Sequence, residues 1–192
     1  MGGYFGNAAV FLVQTVFGFY ILVVMLRFLL QWLRADFYNP VSQFLVKITT
    51  PALRPLRRLI PGFGGIDFAS LVLILALQII ELVLVTKLLG QPLSVAGLLV
   101  LTVAELVSLL IKVFLFSILI QVILSWVRPG DHNPISLLLY QLNEPLLAPA
   151  RRIIPVISGL DLSPILVLVL LQLSLMLLVA PLQDFGMLLN LR

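Results

Sequence analysis

The sequence contains no cysteine and a single histidine, His132. That removes disulfides, thiolate metal sites, cysteine nucleophiles, covalent haem attachment and paired-histidine haem ligation within the chain. Charge is scarce as well: Asp, Glu, Lys and Arg make up 10% of residues against 61% hydrophobic ones, and the mean hydropathy is +1.19. So few polar groups cannot cover a soluble surface. No phosphate-binding glycine loop occurs, and one histidine supports no nucleophile–base–acid set. The expectation is a non-enzymatic protein with no catalytic residue, cofactor or metal of its own. A pI near 9.9 belongs to short segments flanking apolar runs, without stacking aromatics, which argues against nucleic acid as a partner.

What the sequence does have is long apolar runs, at about residues 8–33, 68–89, 95–127 and 162–181. Each matches or approaches the roughly 20 residues that cross a hydrocarbon core about 30 Å thick. The third, at 33 residues, must tilt, kink or protrude. The first has no Lys or Arg before Arg27 and is too long for a signal-peptide core, so it reads as a retained span. The opening Met-Gly-Gly-Tyr-Phe-Gly lacks the Ser or Thr of a myristoylation signal.

Residues 34–66 and 128–160 form two linkers of equal length that hold eight of the twelve basic residues. The positive-inside rule places both linkers of this multi-pass protein in the cytoplasm and both termini outside. A shift of 94 superimposes the two halves without a gap: Trp32 falls on Trp126, Arg34 on Arg128, Asn39-Pro40 on Asn133-Pro134 and Pro51 on Pro145. Pro55 falls on Pro149, Arg57-Arg58 on Arg151-Arg152, Ile60-Pro61 on Ile154-Pro155, and Asp67 on Asp161. The expected fold is therefore an all-α membrane protein of four transmembrane helices. They form two parallel-duplicated helical hairpins, residues 1–94 and 95–192, each with an amphipathic interfacial linker helix.

Each linker opens with Asn-Pro, a cap residue followed by proline at the first helical position, where its missing N–H costs nothing. Val41, Phe44, Leu45 and Ile48, and again Ile135, Leu138, Leu139 and Leu142, make an apolar stripe suited to a helix lying in the interface. Pro51, Pro55 and Pro61 predict that the rest is divided into short pieces. Asp67 and Asp161 are placed to cap the returning spans.

This duplicated Trp…Asn-Pro…Pro-x3-Pro-x-Arg-Arg-x-Ile-Pro…Asp pattern resembles the YggT family, over about residues 10–180 in two registers. The resemblance implies a small protein of the bacterial inner membrane, which makes the outside termini periplasmic. Its relatives are linked to osmotic-stress tolerance and ion homeostasis, to division-associated gene neighbourhoods, and to cytochrome maturation or nucleoid distribution in plastids. The halves differ where the first linker has Lys47 and Arg54 and the second has Gln141 and Ala148, so they need not contribute equally.

Arg57, Arg58, Arg151 and Arg152 are the candidate contacts with lipid phosphates or an acidic partner, the alternative being that they set topology alone. Trp32 and Trp126 are interfacial anchors. Glu81 and Lys112 lie at matching depth on consecutive spans and predict an intramembrane ion pair in preference to a polar pathway. Gln78 and Gln172 recur in both halves and are expected to hydrogen-bond across the bundle. His132, beside Asp131 in a loop and opposite Tyr38, is no proton relay. The expected function is a scaffold or assembly factor that binds membrane lipids, anionic ones included, or a membrane-protein partner. The alternative is a small homo-oligomeric channel or transport protein in osmotic or potassium homeostasis.

Overall fold

The computed structural model describes residues 3–127, 133–154 and 161–191. Helix α1 (Tyr4–Trp32) is followed by α2 (Pro40–Leu59), α3 (Phe68–Leu89), α4 (Val95–Val127) and α5 (Pro134–Ile153). Next come α6 (Ser163–Ser174), a π-helical segment (Leu175–Val179) and α7 (Ala180–Asn190). α1, α3, α4 and the rod Ser163–Asn190 are long and apolar enough to cross a membrane. They expose Phe11, Phe19, Leu99, Phe116 and Val169 along their lengths, as lipid-facing helices do.

α1 packs along α3, and α4 along α7, with α3 against α4 joining the two hairpins. Both linker helices therefore lie at one end of the bundle, where α2 meets α5. The main core draws Ile21, Val24 and Leu29 from α1, Ile74 from α3, Val113 from α4 and Leu142 from α5. A second cluster sets Leu45 of α2 and Leu138 of α5 against Val23 and Leu30 of α1. The second hairpin has a cluster of its own in Ile118, Leu147, Ala150 and Val167.

The linker helices show why these residues form them. Asn39 and Asn133 take extended backbone before proline, and their side chains accept from Val41 N at 3.0 Å and Ile135 N at 2.9 Å. Each helix then runs unbroken for 20 residues, through Pro51 and Pro55 or through Pro145 and Pro149, which corrects the expectation of short pieces. The prolines in each pair are four residues apart and share one exposed face. The carbonyls they leave without a donor therefore open toward solvent and not into the core. Termination falls one residue before the next proline: Ile60 and Ile154 are pushed to φ −122° and −116°.

Two further chain reversals use left-handed backbone. Arg34, at φ 53°, ends α1 in a Schellman arrangement, with Ala35 N bonded to Leu30 O at 2.8 Å and Arg34 N to Gln31 O at 3.2 Å. Gly64 and Gly65, at φ 63° and 83°, make the turn that returns the chain to α3.

The last span differs from the sequence reading, which ends it near Pro181: the rod continues to Asn190. Pro181 would crowd the carbonyl of Leu177, and that residue lies inside the π segment, where the helix is widened. The extension has a packing reason too. At the end of the bundle away from the linkers, Gly97 and Gly186 let α4 and α7 cross closely, since a Cβ on Gly97 would sit 2.9 Å from Gly186 O. Asn190 Oδ1 caps α4 there, accepting from Ser94 N at 3.0 Å.

Candidate functional site

α2 has two unlike faces. Ser42, Leu45, Thr49 and Leu53 are buried against the bundle. Phe44, Lys47, Pro51, Arg54 and Arg58, at alternating spacings of three and four, form one exposed stripe. Phe44 is 59% exposed, so it leaves the apolar face that the sequence pattern assigns it and joins the basic one. Among the described residues, Lys47, Arg54 and Arg58 have no ion-pair partner.

Two polar ties hold this helix in place. Arg27 of α1, 5% exposed, donates through Nη1 to the Thr49 hydroxyl, to Val46 O at 3.2 Å and to Thr50 Oγ1 at 3.3 Å. Arg57 donates through Nη2 to Asp67 Oδ2, and at 3.3 Å to Gln31 Oε1. Asp67 is 5% exposed and also caps α3, accepting from Ser70 Oγ at 2.6 Å. Burial pushes its carboxyl up, but the hydrogen bonds from Arg57 and Ser70 outweigh that and hold it below the ordinary carboxylate range.

The second half repeats both ties at equivalent positions, the first of them with different residues. Gln121 stands for Arg27 and Asn143 for Thr49: Asn143 Nδ2 donates to Gln121 Oε1 at 2.8 Å, and Ser117 Oγ donates to Asn143 Oδ1 at 2.6 Å. Arg151 donates through Nε to Asp161 Oδ2 at 3.0 Å and through Nη1 to Glu144 Oε2 at 2.8 Å. For Asp161 burial again raises the carboxyl, and Ser163 together with Arg151 lowers it further, to below its usual value. The linkers also touch directly ahead of α2: Asn39 Nδ2 donates to Pro134 O at 2.7 Å, and Asp36 N to Gln141 Oε1 at 3.0 Å.

Of the sequence-predicted contacts, then, Arg57 and Arg151 reach the returning spans as clamps, Arg57 while still 39% exposed, and Arg58 and Arg152 are exposed outside the clamps. The signal for the clamp was present as an Arg and an Asp ten residues apart in both halves. Trp32 and Trp126 are exposed at the ends of their spans, Trp32 stacking on Phe28 at 6.1 Å. Glu81 and Lys112 line one cavity of about 140 Å³ with Gln78 and Glu105. Among the described residues they make no ion pair within 4.0 Å. Glu81 Oε2 instead accepts from Gln78 Nε2 at 3.2 Å, and Glu105 from Gln183 at 2.9 Å. Equal depth along two helices does not fix the rotation of either, and that decides direct contact. Gln78 is buried on α3, whereas Gln172 is exposed on α6, so no bond joins them across the bundle. Arg128, Asp131 and His132 lie outside the described residues.

A family model described as CCB3/YggT matches twice, over residues 6–88 and 100–182. The second match is displaced from the first by the same 94 residues that relate the halves. The chain is 49% identical over 169 residues to the Pseudomonas aeruginosa protein PA0392, covering 87% of this chain and 86% of that one. It is 44% identical over 168 residues to a Vibrio alginolyticus protein encoded in the proC 3' region, covering 86% and 90%. It is 42% identical over 167 residues to the YggT protein of Escherichia coli K12, covering 86% of each chain. No solved structure matches it.

Proposed function

The chain belongs to the CCB3/YggT family, and from that premise we propose that it is a non-enzymatic scaffold or assembly factor of a bacterial inner membrane. In this reading it holds an acidic partner, anionic lipid headgroups or an acidic segment of a membrane protein, on the exposed face of α2. The observation that carries the proposal is the stripe of Phe44, Lys47, Arg54 and Arg58. It combines three cations without ion-pair partners among the described residues and an exposed aromatic ring, on a helix fixed by two polar ties, one buried and one half-buried. A surface tied this firmly pays little conformational entropy when it binds. The orientation that goes with it puts both linkers in the cytoplasm and both termini outside, supported by the excess of basic residues in the linkers.

The test keeps charge and changes shape. Arg54→Lys with Arg58→Lys preserves orientation but removes the planar forks that grip phosphate or carboxylate. Purified in mild detergent, this variant should carry about tenfold less of its co-purifying anionic lipid or protein than wild type. Equal recovery would refute the proposal. Reporters at Thr50 and Glu144 should read cytoplasm and those at residues 3 and 190 the outside; labelling of both linkers from outside would reverse the orientation.

One observation favours a second reading, a small oligomeric channel. The cavity lined by Gln78, Glu81, Glu105 and Lys112 gathers polar groups inside the spans. Ion flux through purified protein in liposomes, abolished by Glu81→Leu, would select that reading over the scaffold.

A further inference from the structure

The second half contains a groove of about 440 Å³ between the end of α4, the start of α6 and the underside of α5, within the range of small-molecule sites. We infer that it seats one acyl chain and the headgroup of a zwitterionic, amine-bearing phospholipid. The inference deepens the reading above, since it rests on the linker end of the protein engaging lipid.

The lining is divided by chemistry. Val122, Leu162, Ile165 and Leu168 form an apolar floor over the buried Ile118 and Leu147, and Gln121, Ser125, Trp126, Arg151 and Asp161 gather at the other end. From Trp126 back to Ile118 the floor extends about 12 Å at the helical rise, from the level of the interfacial indole into the span. Trp126 and Ile165 are exposed, so the groove opens sideways onto the surface that faces lipid. A water-soluble ligand would instead need a mouth at the end of the bundle.

Hydrogen bonding at the polar end selects an acceptor. Gln121 uses its oxygen on Asn143, and Arg151 uses Nε and Nη1 on Asp161 and Glu144. Among the described residues, Gln121 Nε2 and Arg151 Nη2 donate to nothing. Two free donors at the head of an apolar groove suit the phosphate and ester oxygens of a phospholipid. The charge selects the headgroup: the charged residues of the lining, Arg151 and Asp161, balance each other, so the site offers no net positive charge to an anionic lipid. It offers instead one carboxylate, Asp161, for an ammonium beside donors for the phosphate.

The first half shows what shrinks such a groove and occupies its polar end. At the positions of Gln121, Val122 and Ser125 it has Arg27, Phe28 and Gln31. Arg27 is buried on Thr49, Phe28 stacks on Trp32, and Gln31 accepts from Arg57. These larger side chains take up the polar end there, and what remains is a smaller, apolar cavity of about 280 Å³ lined by Phe28, Trp32, Leu71 and Ile74 among others.

The test imports those residues. Wild type and Val122→Phe with Ser125→Gln are purified in detergent and titrated with phosphatidylethanolamine, phosphatidylglycerol and cardiolipin, and retained lipid is counted by native mass spectrometry. Phosphatidylethanolamine should bind wild type more tightly than either anionic lipid at the second-half site, and the filled variant should bind it about tenfold less tightly. Should the double variant fail to fold, Ile165→Trp at the exposed mouth closes the groove without entering the core. Unchanged phosphatidylethanolamine binding in a folded, groove-filled protein would overturn the site. Loss of phosphatidylglycerol alone would overturn the headgroup assignment. Arg54→Lys with Arg58→Lys should leave phosphatidylethanolamine binding at wild-type level, so failure of the α2 proposal and failure of the groove give different results.

Discussion

The two halves of this protein share a framework and differ in what they present. In both, an Asn-Pro cap starts the linker helix, a polar side chain of the preceding span ties it down, and an Arg–Asp clamp fastens its end to the returning span. Outside that framework they diverge. α2 with its clamp sets four cations against Asp67, whereas α5 sets two against Glu144 and Asp161. Phe44 is 59% exposed, and its counterpart Leu138 is 6% exposed beneath the contact between the linker helices. Interactions that hold the backbone have been kept in kind, and surfaces have not. A duplicated chain thus carries two unlike faces on one architecture, a basic one and a neutral one.

The largest expected effect tests whether the buried ties are interchangeable. Thr49→Leu leaves the Arg27 guanidinium buried and short of its main acceptor, which should cost about 3 kcal/mol. Arg27→Gln with Thr49→Asn imports the second half's pair and should recover most of that loss. Thermal unfolding in detergent measures both, and a double variant no better than the single one would break the equivalence.

The clamps come next. Asp67→Asn removes a buried acceptor that serves Arg57 and Ser70 together, and about 2 kcal/mol is expected. Asp161→Asn, in a more open clamp, should cost about 1 kcal/mol or less. Both carboxyls are held below their ordinary value. The stability they contribute is therefore fully present above the unfolded value of about 4 and is lost as pH falls through the lower folded values. Acid titration of wild type should show a loss of stability below about pH 4, smaller in Asp67→Asn.

A crossing present only in the second half supplies the third prediction. Gly97→Val drives a side chain into Gly186 O and Asn190 and should cost about 1–3 kcal/mol. The equivalent Gly3, with nothing within 4 Å, should tolerate the same change. Smallest is Glu81 with Lys112. Because the two share a cavity without pairing, a double-mutant cycle to Leu should give a coupling below about 1 kcal/mol. A coupling of several kcal/mol would restore the ion pair.

Much of this was legible in the sequence because it depends on periodicity and on residues with one strong local preference. The four apolar runs, the 94-residue shift and the Asn-Pro caps are of that kind. Whether Pro51 and Pro55 break α2, or Pro181 ends the last span, depends on which way the freed carbonyls face and on a π turn, and neither is written in composition. The reach of Arg57 and Arg151 to the returning spans was readable from the repeated Arg and Asp, yet adjacent arginines look alike until a helix fixes which one faces the returning span. The ties at Arg27 and Gln121 were hidden because the duplication preserves the bond while changing both residues.

The measurement that bears most directly on the contrast between the halves is anionic-lipid binding by a first half given the second half's surface. Lys47→Gln with Arg54→Ala places on α2 the residues that α5 carries at the same positions, leaving both ties, the clamp and Arg58 in place. By native mass spectrometry of protein titrated with phosphatidylglycerol, the account predicts binding about tenfold weaker than wild type, at unchanged thermal stability. Binding equal to wild type would contradict it.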